Sequence, residues 1–134
     1  MRRQRYLEKL EKFEEEYHFI KRHEMKDEVT QRALLYSLQL CVDIAMDVVA
    51  MLTKDLGITV EDDYTNIQRL LENGILLEKE AGLLRQFNAV RNAIVHKYDR
   101  LNLEIINEAF SRVDELYNIV TKLIESYESL VSLQ

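Results

Sequence analysis

The chain contains no proline and only 3 glycines among its 134 residues, so it has few of the residues that form tight turns or interrupt helices. A fold made of many short strands would need more of both. The scarcity therefore predicts an all-α fold of a few long helices, and it argues against sandwiches and barrels. Gly57, Gly74 and Gly82 are also too far apart to form a glycine-rich phosphate-binding loop.

Apolar residues spaced by three and four positions predict where those helices lie. The expected helices, in chain order, cover about 3–24, from Asp27 or Thr30 to about 55, 64–72, from near 78 through Val95, and from Asn102 through 131. The last of them carries its apolar stripe without a break. We therefore predict one domain, residues 1–134, folded as an up-and-down bundle of four long helices plus a short helix.

The second helix is apolar around nearly its whole circumference, which indicates that it is covered on two sides. Gln39, Asp43 and Asp47 form a polar stripe on it, most simply a solvent-facing edge. Two carboxylates in its middle would be costly in lipid, so a buried helix fits better than a membrane span. In a chain this short, one bundle core covers one face, and we expect a second copy to cover the other. This predicts a homodimer.

The formal net charge of −6, from 24 acidic and 18 basic residues, has the wrong sign for a protein that coats nucleic acid by charge alone. No DNA partner is expected. Cys41 is the single cysteine, and the N-terminal residues lack the apolar core of a signal peptide. We therefore expect a cytoplasmic protein without a membrane partner.

The charge reverses near the end of the fourth helix, where residues 85–100 hold four basic side chains and one acidic side chain. An anionic ligand can bind there. The spacing places Asn92 and His96 on one helix face, where the amide can orient the imidazole, and Arg91 and Tyr98 on another. Arg91 and His96 are rotated by roughly 140° about an ideal helix, so a shared site needs a long reach, a bend or a second subunit.

Arginine with histidine is a minimal set of side chains for cleaving RNA without a metal ion. Histidine, with an unperturbed pKa of roughly 6.5, can take the proton of a ribose 2′-hydroxyl or donate one to the leaving oxygen. The guanidinium stabilises the negative charge that builds up on the phosphate. The spacing alone is weak evidence, because a helical histidine near an arginine is more often a surface or packing residue.

The sequence around this pair resembles the HEPN superfamily and, within it, the HepT-like toxins. Arg91, His96 and Tyr98 match the extended family motif R-x-x-x-x-H-x-Y, and the segment 87–98 (FNAVRNAIVHKY) is similar to the family around it. Residues 36–45 (YSLQLCVDIA) resemble the second-helix motif, in which an acid precedes Ile-Ala. The similarity spans about residues 30–103.

This resemblance implies an all-helical homodimer whose active cleft lies at the interface, acting as a metal-independent ribonuclease and growth-arresting toxin without a cofactor. Arg91 and His96 would be its catalytic residues, supported by Asn92 and by Asp43, which would orient Arg91. The implied partners are RNA and a small nucleotidyltransferase antitoxin encoded beside the toxin. The antitoxin silences such toxins by transferring AMP to the motif tyrosine, here Tyr98.

Two alternatives stay open. A HEPN-like dimer can serve as a non-catalytic partner that binds substrate or assembles with a nucleotidyltransferase, and a plain helical adaptor would use its apolar stripes only for assembly. His18 and His23 lie on a charge-rich helix without tight ligand spacing, so we expect no metal site. The tyrosines and phenylalanines of the first and last helices are expected to form core.

Overall fold

The computed structural model of the chain describes residues 2–96 and 101–133, and the regular secondary structure of these two ranges is entirely helical. The helices are α1 (Arg2–Arg22), α2 (Glu28–Asp55), α3 (Asp63–Glu72), α4 (Glu78–His96), α5 (Leu103–Ser111) and α6 (Val113–Ser132). The all-α prediction is confirmed. The predicted bounds of the first three helices and the predicted start of the fourth lie within two residues of those observed.

Helices begin and end at residues whose chemistry favours those positions. Asp27 accepts a hydrogen bond from the backbone N–H of Thr30 at 2.8 Å, and the Thr30 hydroxyl accepts one from the N–H of Asp27 at 3.0 Å, which forms a capping box. The side-chain oxygen of Asn102 caps α5. Gly57 and Gly74 follow the ends of α2 and α3 with φ angles of 81° and 73°, a region that favours glycine.

The prediction of one unbroken C-terminal helix is wrong, because the structure divides it at Arg112 into α5 and α6. The hydroxyl of Ser111 donates to the carbonyl oxygen of Glu108 at 2.6 Å, and a continuous helix would use that oxygen for the N–H of Arg112. Arg112 instead donates its N–H to the carbonyl of Ala109 at 3.1 Å. Both helices still bury their apolar stripe, so the periodicity of the sequence did not reveal the break.

Contacts between side chains establish the relative directions of the long helices. The pairs that join α1 to α2, and α1 to α6, connect opposite ends of the two helices, so α1 is antiparallel to both. The pairs between α4 and α6 also connect opposite ends, so these two helices are antiparallel. Because α2 and α6 are both antiparallel to α1, they run in the same direction, and α4 is therefore antiparallel to α2 as well. The contacts used are Arg2–Asp55, Lys9–Asp47, Arg3–Glu128, Lys21–Asp114, Lys122–Glu80 and Arg112–Gln86.

Helix α2 is the centre of the bundle and packs against α1, α3, α4 and α6 of the same chain. Its buried side chains are Leu34, Leu35, Ser37, Leu38, Cys41, Val42, Ile44, Ala45, Met46, Val48, Val49, Met51, Leu52 and Thr53. Four neighbours within one chain thus cover most of this helix, so its apolar surface does not by itself indicate a second copy, and the homodimer stays a prediction. The helix is long and apolar enough to cross a membrane, but 67% of its most apolar stretch is buried inside the bundle, as in a core helix.

The aromatic residues of α1 and α6 stack against each other in the core, as predicted. The ring centroids of Tyr6 and Tyr127 lie 4.1 Å apart, and those of Tyr17 and Tyr117 lie 4.6 Å apart. Tyr6 is fully buried and donates its hydroxyl to Asp55 at 2.7 Å, so its polar end is satisfied. Tyr17 and Tyr117 are only half-buried at the edge of the stack.

Candidate active site along helix α4

Arg91 is held in place by an acid of the central helix. Its Nε donates to Oδ1 of Asp43 at 2.7 Å, and the two side chains are 30% and 35% exposed. Asp43 belongs to the polar stripe of α2, and the antiparallel α4 places its arginine against that stripe. The structure thus joins the two residues that the sequence analysis paired.

Asn92 contacts the same guanidinium rather than the histidine. Its Oδ1 accepts a hydrogen bond from Nη1 of Arg91 at 3.1 Å. No hydrogen bond joins Asn92 to His96, although both belong to the described part of the chain and their spacing permits one. The interpretation that Asn92 orients the imidazole is therefore corrected, because its amide helps to hold Arg91.

The guanidinium of Arg91 keeps donors to spare. An arginine carries five N–H groups, of which Asp43 and Asn92 take one each. No residue in 2–96 or 101–133 accepts a hydrogen bond from its Nη2. A partly exposed cation in this state can bind an anion from solvent without breaking its contacts to the protein.

Helix α3 adds a second carboxylate near this cation. Burial raises the pKa of Asp63, while the side chain of Asn88 and the positive charge of Arg91 act in the opposite direction. Asp62, the residue just before it, caps α3 and accepts a hydrogen bond from the N–H of Thr65 at 2.7 Å. That bond lowers the pKa of Asp62. Two neighbouring carboxyl groups therefore have opposite pKa shifts.

His96 is the last residue of α4 and is exposed. It lies about 7.5 Å farther along the helix axis than Arg91 and roughly 140° around it, by ideal helix geometry. The two motif residues therefore leave one helix in different directions. Tyr98, the expected AMP acceptor, lies outside the described residues.

The other histidines of the described ranges make local contacts on α1 and just after it. His18 is exposed, and Nδ1 of His23 lies 2.8 Å from the carbonyl oxygen of Phe19. Within residues 2–96 and 101–133, no group of three or more His, Cys, Asp and Glu side chains is arranged to hold a metal ion.

A cavity of about 430 Å³ lies between α4 and α5, on a different side of α4 from Arg91. Its wall is mainly apolar and includes Leu83, Phe87, Val90, Ala93 and Ile106. Neither Arg91 nor His96 lines it. The cavity therefore lacks the two motif residues, and the candidate site is the polar surface of α4 instead.

Three residues near Arg91 were missed by sequence reasoning or assigned differently. Asn88 lies one helical turn before Arg91, so its spacing was a usable signal. Asp63 is on another helix, and nothing local in the sequence points to it. Asp47, expected at a solvent edge, is exposed and pairs with Lys9 of α1 at 2.8 Å.

Comparison with known proteins gives a consistent set of relatives. A family model described as "Ribonuclease HepT-like" matches residues 3–123. A protein of Archaeoglobus fulgidus named "Putative RNase" is 52% identical over 130 residues, which cover 97% of this chain and 98% of the relative. A relative from Methanocaldococcus jannaschii, also named "Putative RNase", is 57% identical over 83 residues. These residues cover 61% of this chain and 95% of the relative.

Two solved structures share the fold. One is a toxin–antitoxin complex with AMP-PNP, with a TM-score of 0.81 and 17% identity, covering 89% of this chain and 96% of that chain. The other is a tri-AMPylated HEPN toxin of Shewanella oneidensis in complex with an MNT antitoxin. It has a TM-score of 0.81 and 17% identity, covering 90% of this chain and 96% of that chain.

The opposite shifts at Asp62 and Asp63 give a paired test of the site's electrostatics. A titration of the carboxyl carbons by NMR is expected to give Asp62 a pKa below the ordinary value of 3.8 and Asp63 a pKa above it. Replacing Arg91 by Gln removes a positive charge that lowers the pKa of Asp63, so that value should rise further. The pKa of Asp62 should stay where it was, and equal movement of both would contradict the described geometry.

Proposed function

The chain belongs to the HepT-like ribonuclease family, and from this membership we propose that it is a metal-independent endoribonuclease that acts as the toxin of a toxin–antitoxin pair. The observation that carries the proposal is the Arg91–Asp43 pair, at 2.7 Å. It holds a partly exposed guanidinium on the helix that also carries His96. The two α4 residues have the R-x-x-x-x-H spacing of the family motif.

Arg91 binds the scissile phosphate in this proposal. Its three remaining N–H groups can donate to phosphate oxygens while Asp43 and Asn92 keep the guanidinium in place. Because the side chain is already held before the substrate arrives, less conformational freedom is lost on binding. The same donors stabilise the extra negative charge of the transition state.

His96 transfers protons. The ribose 2′-oxygen attacks the adjacent phosphorus and the bond from phosphorus to O5′ breaks, which leaves a 2′,3′-cyclic phosphate and a 5′-hydroxyl. A neutral imidazole takes the proton of the 2′-hydroxyl, and a protonated imidazole supplies the proton that the departing O5′ needs. Side chains perform both transfers, so the reaction requires no metal ion.

A homodimer supports this chemistry better than a monomer. Arg91 and His96 leave one helix roughly 140° apart, so a site that uses both is more easily formed with a second copy. Two facing copies also supply two imidazoles, one to take a proton and one to give it. The apolar surface of α2 gives no such support, because helices of the same chain cover most of it.

The proposed partner is a small nucleotidyltransferase antitoxin, and the proposed target of its chemistry is Tyr98. This is supported by the tyrosine at the end of the R-x-x-x-x-H-x-Y motif and by the fold neighbour described as a tri-AMPylated HEPN toxin with an MNT antitoxin. The phenolic oxygen would attack the α-phosphate of ATP, with pyrophosphate leaving and the phenolic proton passing to solvent. The attached phosphates would compete for Arg91 and obstruct RNA. We place the pair in the cytoplasm, where RNA and ATP are available.

The central test compares RNA cleavage by the wild type and by Arg91→Ala and His96→Ala. Each variant is expected to lose about 100-fold or more of the cleavage rate, because each lacks a group that acts on the phosphate or on a transferred proton. Asp43→Asn should lose less, since the arginine remains but its orienting charge is gone. The rates are measured on purified protein in the presence of EDTA.

Arg3→Gln and His18→Ala serve as matched controls, because both side chains are exposed and lie on α1. They should cleave RNA as the wild type does, and circular dichroism should show the same helical content in every variant. If the wild type cuts no RNA, or if the motif variants cut it equally well, the chain is not a ribonuclease. A role as a non-catalytic partner of a nucleotidyltransferase would then explain the family membership better.

The dimer proposal predicts complementation between two inactive variants. Arg91→Ala and His96→Ala chains, mixed under conditions that exchange subunits, should regain part of the activity, because the mixed dimer still contains one intact arginine and one intact histidine at the interface. Activity that stays at the level of the separate variants would contradict a shared site.

The silencing step predicts a covalent change at one residue. Coexpression with the nucleotidyltransferase encoded beside the toxin should add one or more AMP masses to the intact protein, with the modified peptide containing Tyr98. Tyr98→Phe should gain no AMP mass, because it lacks the attacking oxygen. A mass increment that persists in Tyr98→Phe would show that another residue is the acceptor.

A further inference from the structure

An exposed tyrosine lies over an arginine on the surface that joins α3 to α4. Tyr64, in the first turn of α3, is 64% exposed, and the centre of its ring is 3.8 Å from the guanidinium carbon of Arg85 on α4. Nη2 of Arg85 donates to Oε1 of Gln68 at 2.9 Å and to the carbonyl oxygen of Tyr64 at 3.3 Å. The arginine is therefore fixed against one face of the ring.

Packing alone does not account for this arrangement. Arg85 links α3 to α4, but that link does not use the exposed part of the tyrosine ring, and large aromatic side chains contribute to stability mainly when they are buried. No carboxylate within residues 2–96 or 101–133 lies within ion-pair distance of Arg85, although the chain has a net charge of −6. Nη1 of Arg85 likewise has no acceptor among these residues. The pair thus presents an aromatic face backed by a guanidinium that forms no ion pair with a described carboxylate.

The position of this pair connects it to the candidate active site. Arg85, Asn92 and His96 fall within about 40° of one another around α4, so they form one stripe along the helix. Arg85 lies about 9 Å from Arg91 along the axis, and about 16 Å from His96. Asp63, the neighbour of Tyr64 in the chain, is close enough to Asn88 and Arg91 for both to lower its pKa. A strand that follows this stripe from His96 toward the start of α4 would reach Arg85 and the tyrosine ring that lies over it.

We propose that Tyr64 and Arg85 form a nucleobase-stacking subsite for the RNA strand that is cleaved at Arg91 and His96. The inference rests on the proposed ribonuclease function. A base of the strand stacks on the open face of the tyrosine, while the guanidinium behind the ring strengthens the stack and offers Nη1 to a phosphate or a base oxygen. Stacking suits an enzyme that must hold single-stranded RNA without reading much of its sequence.

Acidic residues next to Tyr64 make stacking a better fit than simple charge attraction. Glu61, Asp62 and Asp63 precede it in the chain, and their carboxylates oppose the approach of phosphates. Asp62 is engaged by the N–H of Thr65, which keeps it at the helix end. Recognition at this subsite should therefore depend on the bases, and only weakly on the sugar–phosphate backbone.

The test measures RNA binding in a His96→Ala background, where cleavage does not interfere. The probe is a fluorescein-labelled single-stranded RNA decamer of mixed sequence, followed by anisotropy. A decamer of the same length and charge in which every base is replaced by an abasic ribose is measured in parallel. Tyr64→Ala is expected to weaken binding of the RNA about tenfold, in line with the loss of one base–aromatic stack. Tyr64→Phe should bind as the parent does, and Arg85→Gln should bind more weakly.

Binding of the abasic decamer should be the same with and without Tyr64→Ala. Arg3→Gln, which removes an exposed positive charge on α1, controls for a general effect of charge and should leave RNA binding unchanged. In chains with His96 intact, Tyr64→Ala should raise KM for RNA and change kcat little. Circular dichroism spectra of Tyr64→Ala and Tyr64→Phe that match the wild-type spectrum would exclude misfolding as the cause.

Several outcomes would overturn the subsite. Unchanged RNA binding and KM in Tyr64→Ala would do so, and so would equal weakening for the RNA and the abasic decamer. Loss of binding to a coexpressed nucleotidyltransferase, with RNA binding intact, would assign this surface to a protein partner instead. The two proposals can fail separately. If the wild type binds RNA through Tyr64 but cuts none, the subsite is supported and the ribonuclease proposal is wrong. If the wild type cuts RNA independently of Tyr64, the ribonuclease proposal is supported and the subsite is wrong.

Discussion

The need to bury α2 organises the whole bundle. This helix is apolar around most of its surface, and α1, α3, α4 and α6 pack against it so that most of its apolar side chains are buried, although Val29 and Tyr36 stay exposed. Its one polar stripe cannot be buried in the same way, because an unpaired carboxylate away from water is costly. The stripe therefore marks the side of the bundle where the chain can place charged partners, and Arg91 of α4 occupies that position.

The charged and polar groups around Arg91 hold its guanidinium in a fixed position and still allow it to bind an anion. Asp43 holds the guanidinium from α2 and Asn92 holds it from α4 itself, while its positive charge lowers the pKa of Asp63 on α3. Because the cation stays partly exposed and has donors that no described residue engages, these contacts orient it and leave it accessible. A buried ion pair would have given rigidity without access.

Local sequence was sufficient for the helix bounds, because caps and helix ends depend on residues within one turn. Asp27, Asn102 and Gly57 act where their chemistry predicted. The break at Arg112 was not predicted, because the Ser111 hydroxyl that occupies the carbonyl oxygen of Glu108 leaves the spacing of the apolar residues unchanged. Burial of α2 by its own chain was not predictable for another reason: the circumference of α2 indicates how much cover it needs and carries no information on which chain supplies it.

By itself, the sequence determined the helical class, the helix ends other than those at Arg112, and the motif formed by Arg91, His96 and Tyr98. A family resemblance suggested that Asp43 orients Arg91, but only the tertiary structure showed that contact and decided which other side chains share a surface. Asp43 and Arg91 are 48 residues apart, and Tyr64 and Arg85 are 21 residues apart. Such contacts depend on how helices cross and rotate against one another. That geometry follows from the packing of the whole core, which no local pattern of residues encodes.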